Sequence, residues 1–237
     1  MRSADFKRRL VGSAADRYRA AGRFAFYFAR SKLAADPVYT AILAQGLIPD
    51  RARVLDLGCG QGLLAAWLLA AEECRRAGRW YGGWPEPAQA WSFEGIESWP
   101  LEVERARRAL GARASVALGD IRSAPFNAAD VVVLLDVLHY LDPPSQEAVL
   151  SRVRAVLSRG GVLLLRIGDA DARLAFKFSN WVDRAALLLR GRGSVRLHCR
   201  SARHWIELLE QLGFQTDAIP MSVHTPFANV LLVAQPR

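Results

Sequence analysis

The sequence predicts an α/β fold: a mostly parallel sheet of seven strands with helices on both faces, behind a helical N-terminal segment. Three observations predict it. From residue 51 onward, apolar runs of strand length alternate with runs of helical period. Two of the strands, 130–135 (Asp-Val-Val-Val-Leu-Leu) and 161–167 (Gly-Val-Leu-Leu-Leu-Arg-Ile), are almost continuously apolar, as a sheet covered on both faces requires. And the strand 53–57 ends in Asp56-Leu57, is followed by Gly58, Gly60 and Gly62, and runs on into the apolar stretch Leu63–Leu69. That pattern is a sharp strand-to-helix turn.

Taken in order, residues 14–33 read as one amphipathic helix rich in aromatics. A second helix runs from Asp36-Pro37 to Gln45, with Asp36 as cap, Pro37 at its first position and Gly46 as its stop. The strands then fall at 53–57, 92–97, 114–118, 130–135 and 161–167, and the helices at 61–77, 100–110 and 144–158. Ser201 caps a last helix through Leu212, Gly213 ends it, and a hairpin-like pair follows at 214–219 and 228–234. Two stretches interrupt the rhythm. Residues 78–91 form a loop with Trp80, Tyr81, Trp84 and Trp91, and residues 169–200 add a helical piece around Leu174–Leu189 and a basic tract from Arg190. The expected organisation is a helical segment at 1–50 and a main domain at 51–237 carrying insertions at 78–91 and 169–200.

Composition excludes several classes. Of the 32 basic residues 29 are Arg, Ala is abundant, and the net charge of +9 is spread through every segment. A GC-rich coding sequence accounts for that bias, so no nucleic-acid partner is expected. Cys59, Cys74 and Cys199 are odd in number and far apart, which argues against a disulfide framework and a zinc site. No apolar run reaches the ~20 residues of a membrane span, and the N-terminus lacks the apolar stretch of about 7–15 residues of a signal peptide. The chain reads as cytoplasmic, without a transmembrane segment and without a metal.

The glycine turn carries the chemistry. Glycines at alternate positions let the backbone reverse sharply and let a ligand approach with no Cβ in the way. The free N–H groups of the following helix then face that ligand. With Asp56 two residues ahead of Gly58, the stretch Val54-Leu55-Asp56-Leu57-Gly58-Cys59-Gly60-Gln61-Gly62 resembles motif I of the class I S-adenosylmethionine (SAM) dependent methyltransferases. The resemblance implies a Rossmann-like seven-stranded sheet with an antiparallel last strand, and SAM as cofactor with S-adenosylhomocysteine (SAH) as product. It assigns Asp56, Gly58, Cys59, Gly60 and Gly62 to the methionine end. Glu97, closing the strand Phe93-Glu94-Gly95-Ile96-Glu97, takes both ribose hydroxyls, with Ser98 beside it; two carboxylate oxygens suit two O–H donors. Asp120 and Ile121, after Leu118-Gly119, serve adenine. Asp136, in Asp136-Val137-Leu138-His139-Tyr140-Leu141, faces the methyl group, and Gly160-Gly161 is a further mark of the family. The spacing is not that of a nicotinamide-dependent oxidoreductase, which would show Gly-x-Gly-x-x-Gly.

His139 is the candidate general base, since an imidazole titrates near neutrality; packing is its other reading. His198, His204 and His224 read as structural. Methyl transfer from a sulfonium needs alignment more than acid–base help, and a base matters only for a protonated acceptor such as a phenol. The Asp142-Pro143-Pro144-Ser145 stretch is similar to the motif that grips an exocyclic amine in nucleic-acid methyltransferases. It lies six residues beyond Asp136 and has no aromatic to stack on a base, so it reads as a helix start. The expected acceptor is a small molecule, an oxygen of an aromatic or acyl-type metabolite. The 78–91 loop, the N-terminal helix and the 169–200 insertion are expected to form its pocket. The N-terminal block also resembles that of bacterial methyltransferases of acyl-carrier-dependent pigment and polyketide pathways, which leaves a carrier-linked acceptor open. That helix, with Tyr18, Tyr27 and Phe28, is a lid over SAM or a peripheral dock on an anionic membrane. A non-catalytic SAM-fold protein and an RNA methyltransferase are the remaining readings.

Overall fold

The computed structural model describes residues 2–168, 197–221 and 229–237. The helical piece expected around Leu174–Leu189, the basic tract from Arg190 and His224 lie outside the described residues. The elements are α1 (Ser3–Asp16), a 3-10 turn (Arg17–Ala21), α2 (Arg23–Ala35), α3 (Pro37–Ala44), β1 (Arg53–Leu57), α4 (Leu63–Arg76), β2 (Ser92–Glu97), α5 (Pro100–Leu110) and β3 (Ser115–Leu118). Then come β4 (Ala129–Leu135), α6 (Pro143–Val156), β5 (Leu157–Gly168), α7 (Ala202–Gln211), β6 (Phe214–Pro220) and β7 (Asn229–Pro236). The strands form a seven-stranded sheet in the order β3-β2-β1-β4-β5-β7-β6. β1, β2 and β3 pair parallel, as do β4 and β5, and β7 runs antiparallel to both its neighbours.

The chain divides into two compact units, residues 1–125 and 126–237. In the first, α4 is buried along almost its whole length around Trp67, whose indole N–H donates to the Tyr39 carbonyl at 2.7 Å. α1 packs against α4 with Phe6, Leu10 and Ala14 inside. In the second, Val131–Leu134 and Leu163–Leu165 are wholly buried, with Phe214 and Leu209 from the C-terminal elements. Asp142 caps α6 by accepting from the Ser145 N–H at 2.9 Å, with Pro143 at the first helical position. Asp36 caps α3 in the same way, accepting from Val38 at 3.1 Å.

Three expectations need correction. The aromatic N-terminal helix is not continuous over 14–33: it breaks at Gly22, whose φ of 104° no helix accommodates, and α1 begins far earlier, at Ser3. β5 begins at Leu157, directly after α6, and its pairing with β4 is irregular between Ala129 and Val131. Gly160, at φ 76°, lets the chain make that bulge. The third concerns the loop 78–91. It joins the end of α4 to the start of β2, and Gln89 pairs with Asp50 and Arg51, immediately ahead of β1. The loop therefore lies at the edge where the parallel strands begin, opposite the edge where ligands of such sheets bind. Its aromatics are spent on packing: Trp80, Tyr81 and Trp84 surround the buried ring of Phe6 at centroid distances of 5.0–5.8 Å. They do not line an acceptor pocket.

Candidate cofactor site at the strand ends

In the first unit, β1 and β2 end side by side, with Leu57 opposite Ile96. The chain leaving β1 turns over the end of β2: the N–H groups of Gly58 and Cys59 both donate to the Ile96 carbonyl, at 2.7 and 3.3 Å. Gly58, Gly60 and Gly62 all adopt positive φ, at 76°, 56° and 76°, which only glycine tolerates in succession. Their surroundings differ. A Cβ on Gly62 would lie 2.6 Å from Leu110 Cδ1, whereas one on Gly60 would meet nothing within 4 Å. Gly62 is thus needed for packing and backbone alike, and Gly60 keeps open space above the loop.

The two acids of this edge are held differently. Glu97 Oε2 accepts from the Gly60 N–H at 2.9 Å, while Oε1 accepts from Trp99 N–H at 2.9 Å and from the Ser98 hydroxyl at 3.2 Å. These bonds fix the carboxylate under the glycine loop. Asp56 is 4% exposed and has no hydrogen-bond or ion-pair partner among the described residues. Burial, and secondarily the charge of Glu97, push its carboxyl up to about 8. A buried carboxyl without a partner, beside a glycine loop with space above it, fits the ammonium at the amino-acid end of SAM. Cys59 is no nucleophile: burial holds its thiol well above the usual range. Its Sγ stands 2.6 Å from where a Cβ of Gly95 would be, which explains that glycine.

Beyond β3, the Gly119 N–H donates to the Glu97 carbonyl at 2.9 Å and carries the chain to Asp120 and the buried Ile121. The Asp120 carboxylate is gripped by Arg122, whose Nε lies 3.0 and 2.9 Å from its two oxygens, and this holds its pKa below the usual value. The structure thus gathers Asp56, Gly58, Cys59, Gly60, Gly62, Glu97 and Ser98 at one strand edge, with Asp120 and Ile121 linked to it through Gly119.

Asp136 and His139 belong to the second unit. Asp136 follows β4 in the left-handed region, at φ 60°. Its carboxylate forms a two-point ion pair with Arg166 of β5, Nε to Oδ1 at 2.7 Å and a second bond from Nη2 to Oδ2. Arg166 is almost wholly buried. The pair was missed in the sequence, although an arginine inside an otherwise apolar strand was its signal. His139 sits in a short 3-10 turn, Leu138–Tyr140. Its carbonyl accepts from the His198 N–H at 2.8 Å, and the buried Gln146 side chain donates to the carbonyls of Leu138, Leu141 and His198. Gln146 was also missed; nothing in its neighbours on α6 marks it. His204 closes against Ser201, the cap of α7.

Comparison with known proteins agrees with this arrangement. The methyltransferase-domain family matches residues 23–219, most of the chain. The chain is similar to the magnesium protoporphyrin IX methyltransferase of Synechocystis with bound SAH, with 18% identity, a TM-score of 0.58 and 93% of each chain covered. It is also similar to a family 2 O-methyltransferase of Planctomyces limnophilus in complex with apigenin, with 18% identity and a TM-score of 0.62, over 99% of this chain and 62% of that one. Among curated proteins, the carboxy-S-adenosyl-L-methionine synthase of Chromohalobacter salexigens is 36% identical over 140 residues, 54% of this chain and 47% of the relative. The corresponding synthase of Klebsiella pneumoniae is 27% identical over 132 residues, 52% and 47% of the two chains. The chain spans about half the length of these curated relatives. Its fold is that of the class I SAM-dependent methyltransferases to which it is similar. The chain belongs to the methyltransferase-domain family. No described helix is long and apolar enough to cross a membrane.

Proposed function

We propose that the protein moves the methyl group of SAM to a small-molecule acceptor, an oxygen of an aromatic or acyl-type metabolite. The observation that carries the cofactor half is Asp56, a buried carboxyl without a partner beside a glycine loop with open space. SAM supplies an electrophilic methyl on a sulfonium. In this reading Asp56 and the backbone of Gly58, Cys59, Gly60 and Gly62 hold its amino-acid end. Glu97 and Ser98 take the ribose, Asp120 and Ile121 take adenine, and Asp136 borders the methyl. His139 receives the acceptor proton where the acceptor is a phenol or alcohol. Residues 1–50 serve as a lid that excludes water, tied to the loop through Tyr18. The acceptor half is supported by the aromatic apigenin bound to a structural neighbour.

A second reading keeps the site and changes the product. Identity of 36% to a carboxy-S-adenosyl-L-methionine synthase favours an enzyme that exchanges a proton of the SAM methyl group for the carboxyl of a carboxylic-acid co-substrate, which takes up that proton in its place. One experiment separates the readings. The protein is incubated with methyl-labelled SAM and a panel of phenols, alcohols and carboxylic acids, and all products are identified by mass spectrometry, beside a calorimetric SAH titration. A labelled acceptor supports methyl transfer, and slower transfer to phenols alone in His139→Gln supports the base. Carboxylated SAM supports the second reading, and SAH binding with neither product would leave a non-catalytic SAM-binding protein.

A further inference from the structure

The cofactor set leaves one large feature of the first unit unused. α1 and α2 pack together, and the crease between them is a groove of about 670 Å³, within the ~300–1,000 Å³ range of small-molecule sites. Its floor is apolar: Val11, Ala15 and Phe26 are buried, and a Cβ placed on Gly12 would meet nothing within 4 Å. Its rim is cationic. Lys7, Arg8, Arg19 and Arg30 line it against a single acid, Asp16. Arg8 is neutralised by Asp5 and Arg19 by Asp16, at 2.5 and 2.8 Å. Arg19 also lies over the Phe26 ring, 4.4 Å from its centroid. Lys7 and Arg30 form no ion pair among the described residues. Partial burial lowers the Lys7 pKa, with the charge of Asp36 opposing. Asp36, the carboxylate that acts on Lys7, is already held by Lys32 at 2.8 Å, so a lysine partly desolvated at the mouth of an apolar groove gains from an anion that meets it directly.

We propose that this groove binds an amphiphile with one aliphatic chain and an anionic head, a fatty carboxylate or alkyl phosphate. The chain lies along Val11, Gly12 and Ala15, and the head meets Lys7 and Arg30. α1 from Ala4 to Asp16 offers about 18 Å of floor at ~1.5 Å per residue, enough for a medium-length chain. Apolar floor and unpaired cations together select this class: a neutral lipid leaves the cations desolvated, and a bare anion leaves the floor wet. The groove shares no residue with the cofactor set, so the inference stands whether or not the transfer reading does.

The test is calorimetric titration of the full chain with decanoate and with decyl phosphate, below their micellar concentrations, beside decan-1-ol and phosphatidylglycerol vesicles. Saturable binding of the anions is expected, at least tenfold tighter than the alcohol. Lys7→Gln and Arg30→Gln should each weaken it about tenfold, the cost of one charge-assisted contact. Gly12→Leu should abolish it by filling the floor, and leucine is a better helix former than glycine. All three variants should still unfold cooperatively in urea, which separates lost binding from lost fold. Equal affinity for decan-1-ol, binding indifferent to Gly12→Leu and to both charge variants, or binding to vesicles alone would each overturn the proposal.

Discussion

The phenol of Tyr18 donates a hydrogen bond to the backbone carbonyl of Gln61, at 2.8 Å, inside the glycine loop. The loop answers in kind: Gln61 Nε2 donates to the Ala25 carbonyl at 3.1 Å. Both residues are buried, and burial raises the Tyr18 pKa, so the phenol remains a donor at every working pH. One residue of the glycine loop is thereby clamped to the 3-10 turn and to α2. The N-terminal segment and the glycine loop are mechanically one piece.

Tyr18→Phe should therefore do two things. It leaves the Gln61 carbonyl buried and unpaired, which costs about 1–3 kcal/mol of stability in urea unfolding. It also loosens the loop, so SAH affinity should fall roughly three- to tenfold. Loss of stability with unchanged affinity would mean that the N-terminal segment is a brace and not a lid.

The glycines of the loop should separate by their surroundings. Gly62→Ala forces a Cβ to 2.6 Å from Leu110 Cδ1 at a φ of 76°, so it should unfold the protein more easily by about 2 kcal/mol or more. Gly60→Ala meets no atom within 4 Å and bears only the left-handed strain, about 1 kcal/mol. Its Cβ enters the space above the loop, so it should lose more cofactor affinity per unit of lost stability. SAH titration beside urea unfolding of the two variants checks the ordering.

Much of this was legible in the sequence because the signals were local. β1, β2 and α5 fall at the residues expected, each bounded by its own turn or proline, and the glycine loop and its two acids declare themselves by spacing. The misses are tertiary. Where the N-terminal helix breaks depends on Gly22 taking a conformation that the surrounding aromatic pattern does not advertise. The 78–91 aromatics looked like a pocket because composition says nothing about which edge of a sheet a loop occupies; connectivity does, and it places them around Phe6. Asp136 was read for the cofactor alone, because its partner Arg166 lies 30 residues on.

That pair makes its own prediction. Asp136→Asn keeps a residue type that accepts positive φ but strips the charge from a guanidinium that is 2% exposed. The cost should be roughly 2–3 kcal/mol, below that of a fully buried pair because the Asp136 side chain is about a third exposed. Adding Arg166→Met should recover part of it, since the buried cation that has lost the Asp136 charge is removed with it. A double variant no more stable than the single one in urea would show that the ion pair does not hold this turn.

In the proposed SAM site, Asp56 ties stability to ligand capture through pH. Its carboxyl is pushed from the ordinary 3.8 to about 8, first by burial and then by Glu97. Between those values the folded protein holds a proton that the unfolded chain has released. Stability should therefore fall as pH rises from about 4 to 8 and level off above. Asp56→Asn removes the titration, so the variant should be the more stable protein at pH 8, with the difference closing toward pH 4. It should also bind SAH poorly, because the ammonium of the ligand loses its counter-charge. In the parent that ammonium favours the ionised carboxylate, so SAH binding at pH 7 should release a proton. Calorimetry in two buffers of different ionisation enthalpy reads that proton directly. The release should fade above pH 8, where Asp56 is already ionised, and vanish in Asp56→Asn. Heats independent of buffer at pH 7 would mean that the ligand's cation does not rest on Asp56.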